Sequence, residues 1–311
     1  HPPREARVGC AGKARARAGA VKVENPRYDY SPIIDRPPLR WPDGARVALW
    51  VIPNVEYFEF DLPATLFRPP PREMPDVINY SWRDYGSRVG IWRMMETLDR
   101  FGIRATVALN SLVCRYYPRI IEEMLKRDWE LMGHGNTNSR GIVGLSEDAE
   151  RQGIESTIRE IREFTGQTPR GWLGPGLGET YNTPDLLAEA GIQYVCDWVA
   201  DDQPFPMKVR RGSLLAMPYT LELNDIPLFI GQNRTGQQYF ETIRDQFDVL
   251  YREGEENGRV MAISLHPFLI GVPHRARYLE KTLDYICRHS GVWLATGGEI
   301  ADWYLRTTAK S

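Results

Sequence analysis

Short, nearly continuous apolar runs alternate along this chain with segments whose apolar residues recur every three or four positions. The continuous runs are typical of strands covered on both faces, and the wider spacing is typical of amphipathic helices. Such alternation predicts parallel strands joined by right-handed helical crossovers. A glycine-rich phosphate loop does not follow the first run, which disfavours a dinucleotide-binding sheet. The sequence therefore predicts an α/β fold, a single distorted (β/α) barrel of seven or eight strands over residues 23–311.

The predicted elements follow from these patterns. Strands are expected over residues 45–53, 104–110, 129–133, 172–175, 192–198, 214–219, 260–265 and 292–295. Helices are expected over residues 87–102, 118–127, 146–166, 183–191, 240–251, 275–288 and 299–306. Residues 57–86 predict a long loop, because consecutive prolines at 69–71 exclude a helix there. Loops of this length are usually lids or binding loops. We expect a homo-oligomer in which the proline-rich segment 61–80 packs on a neighbouring copy.

The first 22 residues differ from the rest of the chain, because they are basic and rich in alanine, glycine and arginine. They lack the apolar core of a secretory signal. We expect a disordered arm or an expression artefact, outside the barrel domain. A net charge of −2 argues against a nucleic-acid surface. Since the sequence also has no apolar run near the roughly 18–20 residues that span a bilayer, we expect a cytoplasmic protein that binds a small molecule, without nucleic-acid or membrane partners.

The four cysteines are far apart and form no C-x-x-C pair. They are Cys10, Cys114, Cys196 and Cys287. This spacing predicts buried free thiols in a reducing compartment rather than a zinc knuckle or a disulfide framework.

Polar and aromatic side chains follow the predicted strands at the points where the strands end. They belong to Asn54, Glu56, Asn110, His134, Asn138, Trp172, Asp197, Trp198, Tyr219 and His266. In a barrel these ends meet at one face, where functional groups cluster. Two histidines and a carboxylate at one mouth suit general acid–base hydrolysis. Each residue alone also fits a structural role, since His134 could be a core histidine bonded to a backbone carbonyl. The whole set favours an active site.

Three segments together resemble the polysaccharide deacetylase (NodB-homology) family. They are Gly133-His134 with its polar loop, residues 183–197, and Ser264-Leu265-His266-Pro267. The similarity covers roughly residues 40–306, and the ordered set is more specific than any single motif. The resemblance implies a distorted (β/α) barrel, in agreement with the alternation of elements.

The chain departs from the family pattern where the family binds a metal. Family members carry T-F-D-D-G after the first strand, whereas this chain has Asn54-Val55-Glu56-Tyr57, so Tyr57 stands in place of a metal carboxylate. The second histidine of H-x-x-x-H becomes Asn138, and the arginine of R-x-P-Y-G becomes Leu173. Only His134 remains of the family's ligands, although zinc sites usually need three. We expect no cofactor, with a single zinc ion at His134 as the alternative.

These departures resemble the allantoinase and cyclic-imide-hydrolase branch of the family. That branch has Asn-x-Glu after the first strand, the run Tyr85-Gly86-Ser87-Arg88-Val89-Gly90, and an Asp-Trp…Asp-Asp-x-Pro stretch, found here at 197–204. Its enzymes hydrolyse non-peptide carbon–nitrogen bonds in small, often cyclic, amides. A planar ring would suit a pocket walled by Trp172, Trp198 and Tyr219.

The first hypothesis is therefore a hydrolase that opens the ring of a small cyclic amide, imide or ureide. Glu56 would activate water, His266 would protonate the leaving nitrogen, and His134 would complete the catalytic set. The expected substrate-binding residues are Asn54, Tyr85, Arg88, Asn138, Trp172, Trp198 and Tyr219. Of these, Asn138 and Arg88 would orient the carbonyl. The alternatives are a metal-dependent N-acetyl-sugar deacetylase with altered ligands and a catalytically silent barrel that only binds a ligand.

Overall fold

The computed structural model describes residues 25–62 and 75–308, and its strands form one curled sheet. The strands are β1 (Val47–Val55), β2 (Thr106–Leu109), β3 (Glu130–Gly133), β4 (Gly171–Trp172), β5 (Tyr194–Val195), β6 (Phe205–Met207), β7 (Leu214–Ala216), β8 (Arg259–Leu265) and β9 (Val292–Leu294). Within the described residues, eight strands follow the order β6-β7-β5-β4-β3-β2-β1-β8, and β9 pairs with β1. Every neighbouring pair is parallel except β6 with β7. The predicted distorted (β/α) barrel is confirmed.

Helices connect the strands on the outside of this sheet. They are α1 (Val77–Tyr85), α2 (Ile91–Arg100), α3 (Leu112–Tyr116), α4 (Pro118–Lys126), α5 (Glu147–Thr165), α6 (Thr183–Glu189), α7 (Gly236–Glu253), α8 (Pro267–Ile270), α9 (Pro273–Cys287) and α10 (Gly297–Thr308). The signals in the sequence mark several ends correctly. At α5, the Ser146 hydroxyl accepts the backbone N–H of Ala149 at 3.3 Å, and Gly166 ends the helix with a φ of 75°.

The prediction of a loop throughout residues 57–86 is wrong for its last part. Helix α1 begins at Val77, because the carboxylate of Asp76 caps the helix by accepting the backbone N–H of Asn79 at 3.1 Å. A wide five-residue turn, Gly86–Gly90, then joins α1 to α2. The consecutive prolines, and most of the segment expected to pack on a neighbouring copy, fall at 63–74, outside the described residues.

Helices α3 and α8 and strand β6 are short elements that the sequence did not predict. Helices α3 and α8 have five and four residues, too few to show a helical period. Strand β6 has three residues and contains Pro206. It is the antiparallel end of the sheet, the position at which a strand tolerates a proline.

Successive side chains of strand β1 point alternately into the two largest apolar clusters. Its odd-numbered residues from Val47 to Val51 pack with the outer helices. Its even-numbered residues from Ala48 to Ile52 pack inside the barrel, with Tyr194 among their neighbours. Because both faces are covered, all nine residues of β1 are buried. This central strand delivers Glu56 to the mouth of the barrel.

The seam between β6 and β8 is closed by isolated contacts rather than by a continuous ladder within the described residues. At the mouth, one parallel bridge joins Asn224 to Ser264. At the opposite end, the backbone N–H of Val260 donates to the carbonyl of Asp202 at 2.9 Å.

The segment before β1 ties together elements on either side of this seam. Arg36 donates to the Asp201 carboxylate with both terminal nitrogens, at 2.8 and 2.5 Å. Trp41 is buried and donates its indole N–H to the carbonyl of Arg259 at 2.9 Å. The segment before β1 therefore forms part of the barrel wall.

No helix in residues 25–62 and 75–308 combines the length and the apolarity needed to cross a membrane. The described cysteines, Cys114, Cys196 and Cys287, are free thiols; Cys114 and Cys196 are buried, as predicted, whereas Cys287 is half-buried. Cys10 and the basic N-terminal arm lie outside the described residues.

Candidate active site

Glu56, His134 and His266 lie directly after β1, β3 and β8, and their side chains meet at the mouth of the barrel. The Oε1 atom of Glu56 is 3.4 Å from Nε2 of His134 and 3.8 Å from Nε2 of His266. All three side chains are nearly inaccessible, with exposed fractions between 3% and 6%. The structure thus brings together the three residues to which the sequence assigned catalysis.

Asp225 holds the imidazole of His266 from the side opposite Glu56. Its carboxylate accepts the Nδ1–H of His266 at 2.6 Å and the backbone N–H of the same residue at 2.7 Å. Burial lowers the pKa of His266, but the charge and hydrogen bond of Asp225, with the charge of Glu56, raise this pKa overall. His266 is therefore prepared to carry a proton, as an acid requires.

The pKa of Glu56 is shifted in the opposite direction to that of His266. Burial raises the pKa of this carboxyl, but the contact with His134 and the positive charges of His266 and Arg83 together lower it. Glu56 consequently stays ionised inside a buried site, as a general base requires.

Arg83 is a member of the site that the sequence analysis missed. It is buried on α1, with its guanidinium 4.6 Å from the ring centre of Phe58 and 5.3 Å from that of Phe268. It also donates to the backbone carbonyl of Asn79 at 3.2 Å. Burial lowers the pKa of Arg83, and the charge of Glu56 opposes this. A signal existed, because the spacing of Asn79 and Arg83 is helical, but it was lost when residues 57–86 were predicted as a loop.

Asp225 was missed for a different reason. It lies between β7 and α7, where the sequence alternates in neither a strand nor a helix pattern. The carboxylate is fully buried, and only its contact with His266 reveals its role.

The two ring nitrogens of His134 have different partners. Nδ1 lies 2.6 Å from the backbone carbonyl of Leu173, and Nε2 faces Glu56. The side-chain amide of Asn138 lies between His134 and Glu56. Its Nδ2 donates to Oε1 of Glu56 and is 3.2 Å from Nε2 of His134. The sequence left two roles open for His134, a core histidine bonded to a backbone carbonyl and a member of an active site. The structure shows both kinds of contact.

The residues of this site do not fit a three-ligand zinc centre. The ring of Tyr57, which stands where the family has a metal carboxylate, stacks on Tyr116 with centroids 4.5 Å apart. Asn138 presents N–H groups rather than a ligand atom to Glu56 and His134. Among the described side chains, no group of three or more His, Cys, Asp or Glu is arranged to hold a metal ion.

Asn54 and Tyr219 belong to a buried polar network below the catalytic cluster. The amide of Asn54 donates to the Ser264 hydroxyl at 2.9 Å, and this hydroxyl lies 2.5 Å from that of Tyr219. Asn224 donates to the same tyrosine hydroxyl at 3.2 Å. These four side chains are each at most 5% exposed, so they link the ends of β1 and β8 to the segment that carries Asp225.

The two tryptophans expected to wall the pocket lie in different surroundings. Trp172 is 1% exposed and packs with the apolar residues of α5 and α6. Trp198 is half-buried and donates its indole N–H to Glu179 at 2.9 Å. Burial raises the pKa of Glu179 to about 7, and burial together with Glu179 raises that of Asp197. These two residues therefore form a carboxyl pair beside Trp198.

Tyr85 is the last residue of α1, and Arg88 lies in the wide turn that follows it. The hydroxyl of Tyr85 accepts a hydrogen bond from Arg93 at 3.2 Å. The side chain of Arg88 is 76% exposed, and its nearest carboxylate is that of Asp84 at 3.8 Å. The structure does not bring Arg88 to the cluster, where the buried arginine is Arg83.

A small cavity of about 20 Å³ adjoins the carboxylate of Glu56. Glu56, Arg83 and Phe268 are among its lining residues. A space of this size admits a single water molecule when polar groups line it. The mouth of the barrel thus combines a carboxyl whose pKa is lowered, an imidazole whose pKa is raised and room for a water molecule, an arrangement that suits a hydrolase.

Comparison with known proteins agrees with this class. The family model described as "Polysaccharide deacetylase" matches residues 80–195. The crystal structure of a probable polysaccharide deacetylase from Pseudomonas aeruginosa PAO1 is 30% identical, with a TM-score of 0.79, covering 87% of this chain and 95% of that one. PuuE allantoinase is also 30% identical, with a TM-score of 0.80, covering 90% of this chain and 99% of that one.

A Schizosaccharomyces pombe protein assigned to the polysaccharide deacetylases is 27% identical over 293 residues, which are 84% of this chain and 91% of that protein. The chain belongs to the polysaccharide deacetylase family, whose members hydrolyse carbon–nitrogen bonds other than peptide bonds. The resemblance seen in the motifs and the predicted enzyme class are confirmed.

Proposed function

We propose that this protein opens the ring of a small cyclic amide, imide or ureide by hydrolysing a carbon–nitrogen bond. The observation that carries the proposal is the position of Glu56 between two imidazoles, 3.4 Å from His134 and 3.8 Å from His266. The pKa of Glu56 is lowered and that of His266 is raised. An ionised base and a protonated acid therefore coexist at one pH, which is the requirement for concerted acid–base work.

In the proposed reaction, water adds to the carbonyl carbon and gives a proton to Glu56. The resulting tetrahedral intermediate carries the charge on oxygen, and the positive charge of Arg83 stabilises this oxyanion. His266 then donates its Nε2 proton to the ring nitrogen as the carbon–nitrogen bond breaks. Asp225 stabilises the cationic form of His266 before this step. The product is an open-chain carboxylic acid whose released nitrogen remains on the same molecule.

Two further observations support a cyclic substrate. The 30% identity to PuuE allantoinase extends over 99% of that chain, so the likeness includes the strand ends that form the site. The donor set around Glu56 and His134 also lacks the third ligand of a zinc centre within the described residues. Carbonyl activation is therefore assigned to this chain's own side chains.

A panel of allantoin, hydantoins and succinimide-type imides tests the proposal with the purified full chain. Ring opening of at least one compound, monitored by chromatography, is expected, and Glu56→Gln should remove this activity. Hydrolysis that persists at full rate in Glu56→Gln would contradict the assignment of the base.

The second candidate function is deacetylation of N-acetyl sugars. The family model over residues 80–195 and the 30% identity to the Pseudomonas aeruginosa protein favour it. Acetate release from N-acetylglucosamine oligomers, with loss of activity after chelation, would support this candidate over ring opening. Binding of the cyclic compounds without any turnover would instead support a silent, ligand-binding barrel.

A further inference from the structure

We infer that the side-chain amino group of Asn138 occupies the place of a cation between Glu56 and His134, and that Asn110 is the positioning residue that keeps it there. Nδ2 of Asn138 donates to Oε1 of Glu56 and lies 3.2 Å from Nε2 of His134. Carboxylate oxygen and imidazole nitrogen are the atoms by which these residue types ligate zinc. The amino group has two N–H donors, one for each atom. This inference deepens the proposed function and rests on it only for the role of Glu56.

The orientation of both amides follows from backbone groups whose roles are fixed. An asparagine oxygen and nitrogen are distinguished by their partners rather than by their shape. The backbone N–H of Tyr57 can only donate, so the atom of Asn110 that it meets at 2.8 Å is Oδ1. The backbone carbonyl of His134 can only accept, so the other end of Asn110, which contacts it, is Nδ2.

Asn110 passes this orientation on to Asn138. Its Nδ2 also donates to Oδ1 of Asn138 at 3.0 Å, which leaves Nδ2 of Asn138 facing Glu56 and His134. Asn110 is completely buried. Solvent therefore does not easily replace a lost hydrogen-bond partner. Reversing either amide would place donor against donor and acceptor against acceptor.

The imidazole is fixed from its other side. Nδ1 of His134 lies 2.6 Å from the carbonyl oxygen of Leu173, which can only accept, so the proton is on Nδ1. In the neutral ring Nε2 then has a lone pair and accepts from Asn138. Three backbone groups, of Tyr57, His134 and Leu173, thus determine every donor and acceptor in the chain of contacts.

A substitution that leaves Glu56, His134 and Asn138 intact should reverse this arrangement. In Asn110→Asp the carboxylate still accepts the N–H of Tyr57 but cannot donate to Asn138. Asn138 then turns its amino group towards the new carboxylate, and its Oδ1 faces the cluster. A carboxylate oxygen, an imidazole nitrogen and an amide oxygen then surround one point, as ligands for a divalent cation.

Equilibrium dialysis against Zn²⁺ followed by elemental analysis tests this with the full chain. Wild type and the charge-matched control Asn182→Asp should bind no zinc that depends on His134, as judged by comparison with His134→Gln. Asn110→Asp should gain zinc binding that depends on His134, at least about tenfold tighter than any zinc binding of wild type, the size of effect typical of groups that orient metal ligands. One zinc per wild-type chain that is lost in His134→Gln would overturn the inference. So would a folded Asn110→Asp whose affinity equals that of wild type.

A measurement on the wild-type protein decides the matter if Asn110→Asp does not fold. Nitrogen-15 spectra of the histidine side chains, assigned by the signals lost in His134→Gln, should show His134 protonated on Nδ1 with an unprotonated Nε2. The opposite tautomer would overturn the inference. Neither readout involves turnover, so a failure here leaves the proposed ring hydrolysis to be judged by its own assay.

Discussion

The carboxylate of Asp225 accepts two hydrogen bonds from His266, one from the imidazole Nδ1–H at 2.6 Å and one from the backbone N–H at 2.7 Å. The double contact fixes both the position of the ring and the nitrogen that faces Asp225. Nε2 is consequently the atom directed towards Glu56, at 3.8 Å. A buried acid, its counter-ion and a buried base therefore form one row at the mouth of the barrel.

Asp225→Asn should lower the pKa of His266, because the charge that raises this pKa is removed. The proposed reaction needs His266 protonated, so activity should be lost as pH rises through its pKa. In the variant this loss begins at lower pH, and at neutral pH kcat/KM should fall about 10²-fold. The measurement is the pH profile of kcat/KM, with Asp245→Asn, an exposed change on α7, as the control. An alkaline limb at the same pH in both proteins would contradict the role of Asp225.

Glu56→Gln should reduce kcat by about 10²- to 10⁴-fold, the usual contribution of a general base. Because the pKa of Glu56 is lowered, wild-type activity should persist into mildly acidic solution and disappear as pH falls through that pKa. Glu59→Gln is the matched control, since Glu59 lies on the same loop but pairs with Arg140 at 2.9 Å. Steady-state rates at several pH values check this, and equal losses in both variants would indicate a general effect on the loop.

Arg83→Lys and Arg88→Lys distinguish the buried arginine from the exposed one on the same stretch of helix. Arg83→Lys should lower kcat/KM about tenfold or more, because a lysine does not reproduce the planar contacts with Phe58 and Phe268. Arg88→Lys should leave activity within about twofold, as expected for a surface residue with a single distant ion pair. Parallel kinetic assays decide, and a larger effect at Arg88 would restore it as a substrate-binding residue.

Ser264→Ala should destabilise the fold by about 1–3 kcal/mol, because Asn54 and Tyr219 would lose a buried hydrogen-bond partner. Urea unfolding measures this loss. Tyr219→Phe removes the hydroxyl that Ser264 contacts. The double variant should lose less free energy of unfolding than the sum of the losses in the two single variants. Simple additivity would show that the hydroxyl–hydroxyl contact contributes little to stability.

Much of the fold could be predicted because its elements carry local patterns. The continuous apolar run of β1 and the capped, glycine-terminated α5 both matched the expectation closely. The failure near α1 came from extending the influence of the prolines at 69–71 beyond the point where Asp76 starts a helix. Short elements such as β6 are determined by their neighbours in the sheet, and local sequence does not contain that information.

The residues of the site also divide into those that the sequence could predict and those that it could not. Glu56, His134 and His266 could be found because parallel strands end at one face, so position in the chain is enough to group them. Asp225 and Arg83 could not, because each reaches the cluster from an irregular or misassigned segment. Their roles depend on contacts between distant parts of the chain, which only the folded arrangement contains.

The single bridge between Asn224 and Ser264 at the seam has a consequence for local unfolding. Asn224 precedes Asp225, and Ser264 lies two residues before His266, so the bridge that closes the barrel also holds the acid to its counter-ion. Opening the seam would separate the two charges while β1 and its neighbours on the other side stay paired. Amide hydrogen exchange at the seam should therefore report a partly unfolded state that has lost its acid but kept its core. Closure of this barrel and the pairing of His266 with Asp225 would then be one cooperative event.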